Sequence, residues 1–246
     1  MHKPSRNIES MKLNEELHIL EVPMGVGEPV RIMNVSLIVD PAHGLTLVDT
    51  GLPNQADVFE QSIAAEGFSL SDVKQIVLTH QDLDHVGSLN PLKERTGAEI
   101  FAYVNEVPYI DGTKAPVKWP SPERLAQHPE LAERLKNFKP TSVDQSVIDG
   151  DVLSRSAGAT VIATPGHTPG HMSLYLPNTK TLIAGDSLVS ENGVLSGPSP
   201  GATADMELAM ESVRKFLAFD VETIVCYHGG LVTDDANGQL KRVAAI

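Results

Sequence analysis

The feature that most constrains this chain is Thr79-His80-Gln81-Asp82-Leu83-Asp84-His85-Val86-Gly87, which places two imidazoles and two carboxylates within six consecutive positions. It follows Val73–Leu78, an aliphatic run that reads as a buried strand. A turn at a strand end lets such side chains converge on a small volume. Two carboxylates crowded there without a cation would repel each other and pay for desolvation. The plain alternative is a solvated turn whose aspartates cap a helix. Three more candidates weigh against it: His167 after Thr164-Pro165-Gly166, Asp186 after Ile183-Ala184-Gly185, and His228 before Gly229-Gly230. Each ends a predicted strand, where loops converge beside a rigid sheet, and each has glycine beside it. Taken singly these residues read as structural; together they read as a metal centre.

The rest of the chain alternates strands with helices. Leu17–Val22, Val30–Asp40, Gly44–Asp49, Ala98–Val104, Val152–Leu153, Thr160–Thr164, Met172–Leu176, Thr181–Ala184 and Val221–Tyr227 read as strands. Gln55–Gly67 and Ser88–Arg95, the second stopped by Gly97, read as helices. Asp205–Phe216 reads as an amphipathic helix with Met206, Met210, Val213 and Leu217 on one face. Prolines 108, 116, 120, 122, 129 and 140 mark residues 105–140 as an insertion around one helix, Glu123–Lys136. Tyr109, Trp119 and Leu125 are its candidates for a pocket wall. The alternation predicts one α/β domain spanning 1–246.

The order Val48-Asp49-Thr50-Gly51, His80-x-Asp82-x-Asp84-His85, Gly166-His167, Gly185-Asp186 and His228-Gly229 resembles the five motifs of the metallo-β-lactamase superfamily. The resemblance implies a four-layer αββα sandwich with two divalent metal ions at one edge of the sheets. It assigns His80, Asp82 and His167 to the first ion and Asp84, His85 and His228 to the second, with Asp186 bridging them. Asp49 would stand behind the ligands, hydrogen-bonding one of them or the adjacent backbone. The family usually carries histidine where this chain has Asp82. A carboxylate there makes the first site less selective for zinc and admits manganese or iron.

The implied chemistry is hydrolysis. A hydroxide shared by ions about 3.5–4 Å apart is the nucleophile, and Asp84 is the catalytic carboxylate that orients it and relays a proton to the leaving group. A small ester, and a lactone in particular, is the expected substrate. Alternatives are a thioester, as in hydroxyacylglutathione hydrolases, a β-lactam-like amide, or iron-dependent redox chemistry on the same fold. The short stretch after His228 weighs against the thioesterase, which carries a C-terminal glutathione-binding domain.

Composition excludes other classes. A net charge of −13, from 32 acidic against 19 basic residues, repels nucleic acid. No run of about 18 apolar residues offers a membrane span, and the amino terminus reads as no signal peptide. With Cys226 as the single cysteine, no internal disulfide is possible, and a cytoplasmic location is expected. His2, His18, His43 and His128 lie outside the motifs, and His171 is expected to buttress the loop that carries His167. Gly197-Pro198-Ser199-Pro200-Gly201 matches a serine-hydrolase pattern, but Pro200 lacks the N–H an oxyanion hole needs there.

Overall fold

A computed structural model of the chain describes residues 10–25, 31–136 and 138–246. His2 and Val30 of the sequence reading lie outside them. The first sheet runs in chain order: β1 (Ser10–Lys12), β2 (Leu17–Pro23), β3 (Ile32–Asp40), β4 (Gly44–Val48), β5 (Val73–Leu78), β6 (Glu99–Tyr103) and β7 (Gln145–Val147). Its early strands pair antiparallel, and β4 to β7 pair parallel through crossovers. The second sheet contains β8 (Val152–Leu153), β9 (Ala159–Ala163), β10 (Met172–Leu176), β11 (Thr181–Gly185), β14 (Thr223–Cys226) and β15 (Gly230–Val232). A small ribbon, β12 (Val189–Glu191) with β13 (Val194–Ser196), stands apart.

Strand periodicity explains the layers. Leu17, Ile19, Ile38, Val48 and Val77 of the first sheet meet Val161, Leu174, Ile183 and Val225 of the second in one core. Residues of opposite parity point outward. Leu20, Val22, Leu47 and Ile76 pack with Phe59 and Ile63 of α1 (Ala56–Ala65) and with Leu89 and Leu92 of α3 (Leu89–Thr96). Leu182, Ala184, Ile224 and Cys226 pack with Val213 of α7 (Met206–Lys215) and with Leu240 and Val243 of α8 (Ala236–Ala244). The result is the four-layer αββα sandwich.

Two local expectations are corrected. The helix expected over Glu123–Lys136 is two pieces, α5 (Pro122–Gln127) and α6 (Pro129–Leu135). Pro129 has no N–H to continue the first piece and keeps His128 out of the helical region, at φ −127° and ψ 74°. On α7 the buried face is Ala209, Ser212 and Val213, continued by Phe216; Leu217 is exposed. Met206 and Met210 are only partly covered. Small side chains let α7 approach the Gly166 loop, so the larger apolar stripe is not the one that packs.

Candidate metal centre

Four strand ends deliver the predicted ligands to one edge of the sandwich. His80 follows β5, and Asp84 and His85 sit on the short helix α2 (Leu83–Val86), for which Asp82 is the N-cap. His167 lies in the turn after β9, Asp186 directly after β11, and His228 after β14. Met33 on β3 pairs across to His228 as an isolated bridge, tying the two sheets together at this edge. Two glycines make the approach possible. Gly166 has φ +131°, and a Cβ there would lie 2.3 Å from the Ala209 nitrogen; at Gly229, φ +102°, a Cβ would lie 1.6 Å from the Ser190 oxygen.

The side chains gather into groups that could hold a metal ion. His80, Asp82 and His167 form one, and Asp84, His85 and His228 another. The Asp82 carboxylate lies 3.3 Å from His80 Nε2 and 3.1 Å from His167 Nε2. Asp84 Oδ2 lies 3.3 Å from His228 Nε2. Asp186 faces both groups: Oδ1 is 3.4 Å from His85 Nε2, while Oδ2 is 3.3 Å from His167 Nε2 and 3.5 Å from His228 Nε2. These contacts join all seven sequence-predicted residues into one cluster. His80 Nε2, His85 Nε2 and Asp186 Oδ1 are buried without a hydrogen-bond partner, and their three residues form a further group. Buried polar atoms rarely go unsatisfied, so converging unpartnered lone pairs on nitrogen and oxygen fit a divalent cation.

A second ring of contacts orients the donors. Asp49 takes hydrogen bonds from Thr79 N and Thr79 Oγ1, both at 2.8 Å, and from His85 Nδ1 at 2.9 Å. It thereby fills the supporting role the resemblance implied. The Tyr227 ring lies 3.9 Å from that of His85, and its hydroxyl donates to the Asp84 carbonyl at 2.5 Å. His171 contacts Thr164 Oγ1 through Nδ1 at 2.7 Å and accepts from Asp186 N at 3.0 Å. It buttresses the loop, as expected of it.

Charge follows position. Burial, joined by the nearby His85 ring, brings His80 down to about 4 despite the pull of Asp82. Burial works against the charge on Asp82, but His80, His167 and Lys118 hold its carboxyl well below the usual range. Burial likewise disfavours the charged His228, yet hydrogen bonds to Asp186 and Asp84 push it up to about 9. His80 thus offers a lone pair beside ionised carboxylates, and the proton that His228 holds between Asp84 and Asp186 takes the place a cation would fill.

Two residues of the site carried no sequence signal. Glu106, at the start of the short helix α4 (Val107–Ile110), is fully buried and accepts from Gln81 N at 2.8 Å, Thr168 Oγ1 at 2.8 Å and Gly170 N at 2.7 Å. It thus joins the loop of His80 and Asp82 to the loop of His167; burial raises its pKa against those bonds. Lys118 pairs with Asp82 Oδ2 and lies 2.8 Å from His167 Nε2. Over this edge opens a pocket of about 980 Å³, lined by Asp82, Asp84, Asp186 and His228 below and by Trp119 and Leu131 on the insertion side. Tyr109 and Leu125, also expected in the pocket wall, do not line it.

The profile of the metallo-beta-lactamase superfamily matches residues 29–228. The chain belongs to that superfamily. Among its relatives, the "Probable metallo-hydrolase YflN" of Bacillus subtilis (strain 168) is 32% identical, over 85% of each chain. A hydroxyacylglutathione hydrolase of Brucella anthropi is 31% identical over 85% of this chain and 69% of its own. A metallo-beta-lactamase family protein of Thermus thermophilus shares the fold, with a TM-score of 0.73 at 24% identity over 95% of this chain and 80% of that one. The subclass B3 metallo-beta-lactamase BJP-1 of Bradyrhizobium japonicum shares it with a TM-score of 0.67 at 23% identity, covering 96% of this chain and 89% of that one. This superfamily member is a metallo-hydrolase with His and Asp groups suited to divalent metal. Among the described residues, no helix is long and apolar enough to cross a membrane.

Proposed function

We propose that the chain is a binuclear hydrolase of small acyl esters, with lactones its preferred substrates. His80, Asp82 and His167 would hold one divalent ion and Asp84, His85 and His228 the other, with Asp186 common to both. Zinc is the first candidate, and the Asp82 oxygen also admits manganese or iron. The observation that supports this reading is the placement of Asp186 between the two groups on the floor of a single pocket, with Oδ1 towards His85 and Oδ2 between His167 and His228. When bound, the ions supply Lewis acidity for the scissile carbonyl and for the attacking water.

The protein's own residues do the rest. Asp84, whose Oδ2 faces His228, is placed to orient the attacking water and to carry a proton to the leaving oxygen. Neutral His80 keeps its lone pair available at neutral pH. Asp49 and Tyr227 hold His85 and α2 still while charge redistributes. Residues 105–140 act as a lid on one domain, with Trp119 receiving the apolar part of the substrate. The acidic surface favours small molecules over nucleic acid, and the one buried thiol suits a reducing cytoplasm.

A thioester is the second reading, favoured by the Brucella anthropi relative. The test is turnover by the metal-loaded protein of γ-lactones with graded acyl chains, linear esters, acylglutathione thioesters, β-lactams and phosphodiesters. Lactones are expected to give the highest kcat/KM. A preference for thioesters would move the assignment to the second reading, and a preference for lactams or phosphodiesters would overturn the ester reading altogether.

A further inference from the structure

Lys118 lies inside the first ligand group. Its ammonium pairs with Asp82 Oδ2, lies 2.8 Å from His167 Nε2 and donates to the Ala202 carbonyl at 2.8 Å. With the His167 proton on Nδ1, three N–H donors meet three acceptors, the full complement of a lysine head group. Two of those acceptors belong to Asp82 and His167 of the first ligand group, and they lie 3.1 Å apart within it. The lone pair of His167 Nε2 can take an ammonium proton or a metal but not both, and a divalent ion about 2 Å from that nitrogen would collide with the ammonium and repel it.

We infer that Lys118 and a metal ion are alternative occupants of the first group, so the two metal sites fill unequally and the first fills only as Lys118 withdraws. The inference rests on the binuclear reading above. Its basis is the asymmetry of charge. Asp82 is neutralised by Lys118, whereas among the described residues no lysine or arginine pairs with Asp84 or Asp186. The carboxylates of the second group are thus met by imidazoles alone, with no ammonium to displace, and this group takes the first ion. That ion also meets the unpartnered His85 Nε2 and Asp186 Oδ1.

Lys118 is not loosely placed. Its neighbour Val117 donates its N–H to Gln81 Oε1 at 2.7 Å, fastening this part of the insertion to the loop of His80 and Asp82. On the other side, Ala202 adjoins Thr203, whose hydroxyl lies 3.3 Å from His167 Nδ1. The lysine thus spans the pocket mouth from the insertion to the 202–205 loop. Displacing its head group frees a cation at the rim, and occupancy of the first site becomes linked to the position of the insertion.

Calorimetric titration of the metal-stripped full chain with zinc, and separately with manganese, tests this, with elemental analysis fixing the stoichiometry. The wild type should take one equivalent tightly and a second at least tenfold more weakly. Lys118→Met, which keeps the stem and removes the charge, should bring the second Kd at least tenfold closer to the first and leave the first within threefold. Lys118→Gln serves as an independent neutral variant, and cobalt absorption reports which ligands each equivalent engages. Two equivalents in both proteins with an unchanged ratio of Kd values would overturn the inference and leave the binuclear reading intact. So would a weaker second equivalent in either variant. Failure of the wild type to take up metal at all would bring down the binuclear reading, and this inference with it.

Discussion

Asp49 Oδ2 accepts a hydrogen bond from His85 Nδ1 at 2.9 Å, and Asp49 does this from a left-handed backbone at φ 68°. Its other oxygen and the same Oδ2 hold Thr79, the residue before His80. One carboxylate therefore fixes the ring of one predicted ligand and the backbone leading to another. A non-glycine residue in this region is strained by about 1 kcal/mol or more, which three buried hydrogen bonds offset.

Strain and support can be separated by substitution. Asp49→Ala and Asp49→Gly should both weaken metal binding about 10- to 100-fold, because the His85 ring loses its anchor. Asp49→Gly should nevertheless unfold at higher denaturant than Asp49→Ala, by about 1 kcal/mol, since glycine adopts positive φ freely. Competition with a chromogenic chelator and urea melts read the two effects. Metal affinity unchanged in both variants would show that Asp49 is only a structural bond to Thr79.

The two groups should lose metal independently except at their common residue. His228→Ala should lower the metal content at saturation by one equivalent, since His228 belongs to the second group and its Nε2 faces Asp84 and Asp186. Asp186→Ala should weaken both sites, because its carboxylate faces His167 of one group and His85 and His228 of the other. Elemental analysis after dialysis decides this. Loss of a single site in Asp186→Ala would deny it the bridging place.

Glu106 is expected to matter through stability as well as through metal. Removing its carboxylate leaves the buried donors of Gln81, Thr168 and Gly170 unpaired. Glu106→Ala should therefore cost about 3–5 kcal/mol. Glu106→Gln retains one acceptor oxygen and should cost roughly half as much. Equilibrium urea unfolding measures both, and a Glu106→Gln that costs nothing beside a costly Glu106→Ala would show that packing rather than hydrogen bonding is at stake.

The parts of this architecture that could be read from sequence are those with local causes. Runs of apolar residues marked β2, β5 and β10 because each strand lies between two packed layers. The ligands were legible because carboxylates and imidazoles crowd the ends of those same strands. Lys118 and Glu106 were not, since nothing in their own neighbourhood in the chain demands them; each acts on loops far away in sequence, from an insertion that has no periodicity. Trp119, beside Lys118 between two prolines, was the nearest available signal. β12, β13 and β15 are three residues each, too short for a period to show. The face of α7 was misjudged because the helix packs through Ala209 and Ser212, where close approach to Gly166 decides, not side-chain size.

Cys226 supplies a control on the core. It is fully buried beneath α8, and burial pushes its thiol up to about 12. In the native protein at pH 8 it should not react with a disulfide reagent on the minutes scale, while in denaturant one thiol per chain should react. The unfolded thiol titrates near 8.5. The folded state holds this proton more tightly, so the contribution to stability is complete below about 8.5. It is lost as pH rises from there towards about 12. Rapid native labelling at pH 8 would mean that this part of the second sheet opens readily.

Trp119 offers the sharpest test of the pocket. It is 38% exposed, packs against Phe138 with ring centroids 5.2 Å apart, and lines the cavity alongside Pro116, Pro120 and Leu131. A rigid aromatic face held by neighbouring prolines loses little entropy when it receives an acyl chain. Burying one methylene is worth about 0.8 kcal/mol, so kcat/KM for the wild type should rise by up to about fourfold per carbon until the wall is covered. Trp119→Ala should flatten that dependence and leave the shortest substrate nearly unaffected, because the tryptophan is not among the groups gathered around Asp186. A chain-length slope that survives the substitution would remove Trp119 from the substrate pocket. A uniform loss across all chain lengths would instead place it in support of neighbouring Lys118 and the metal edge.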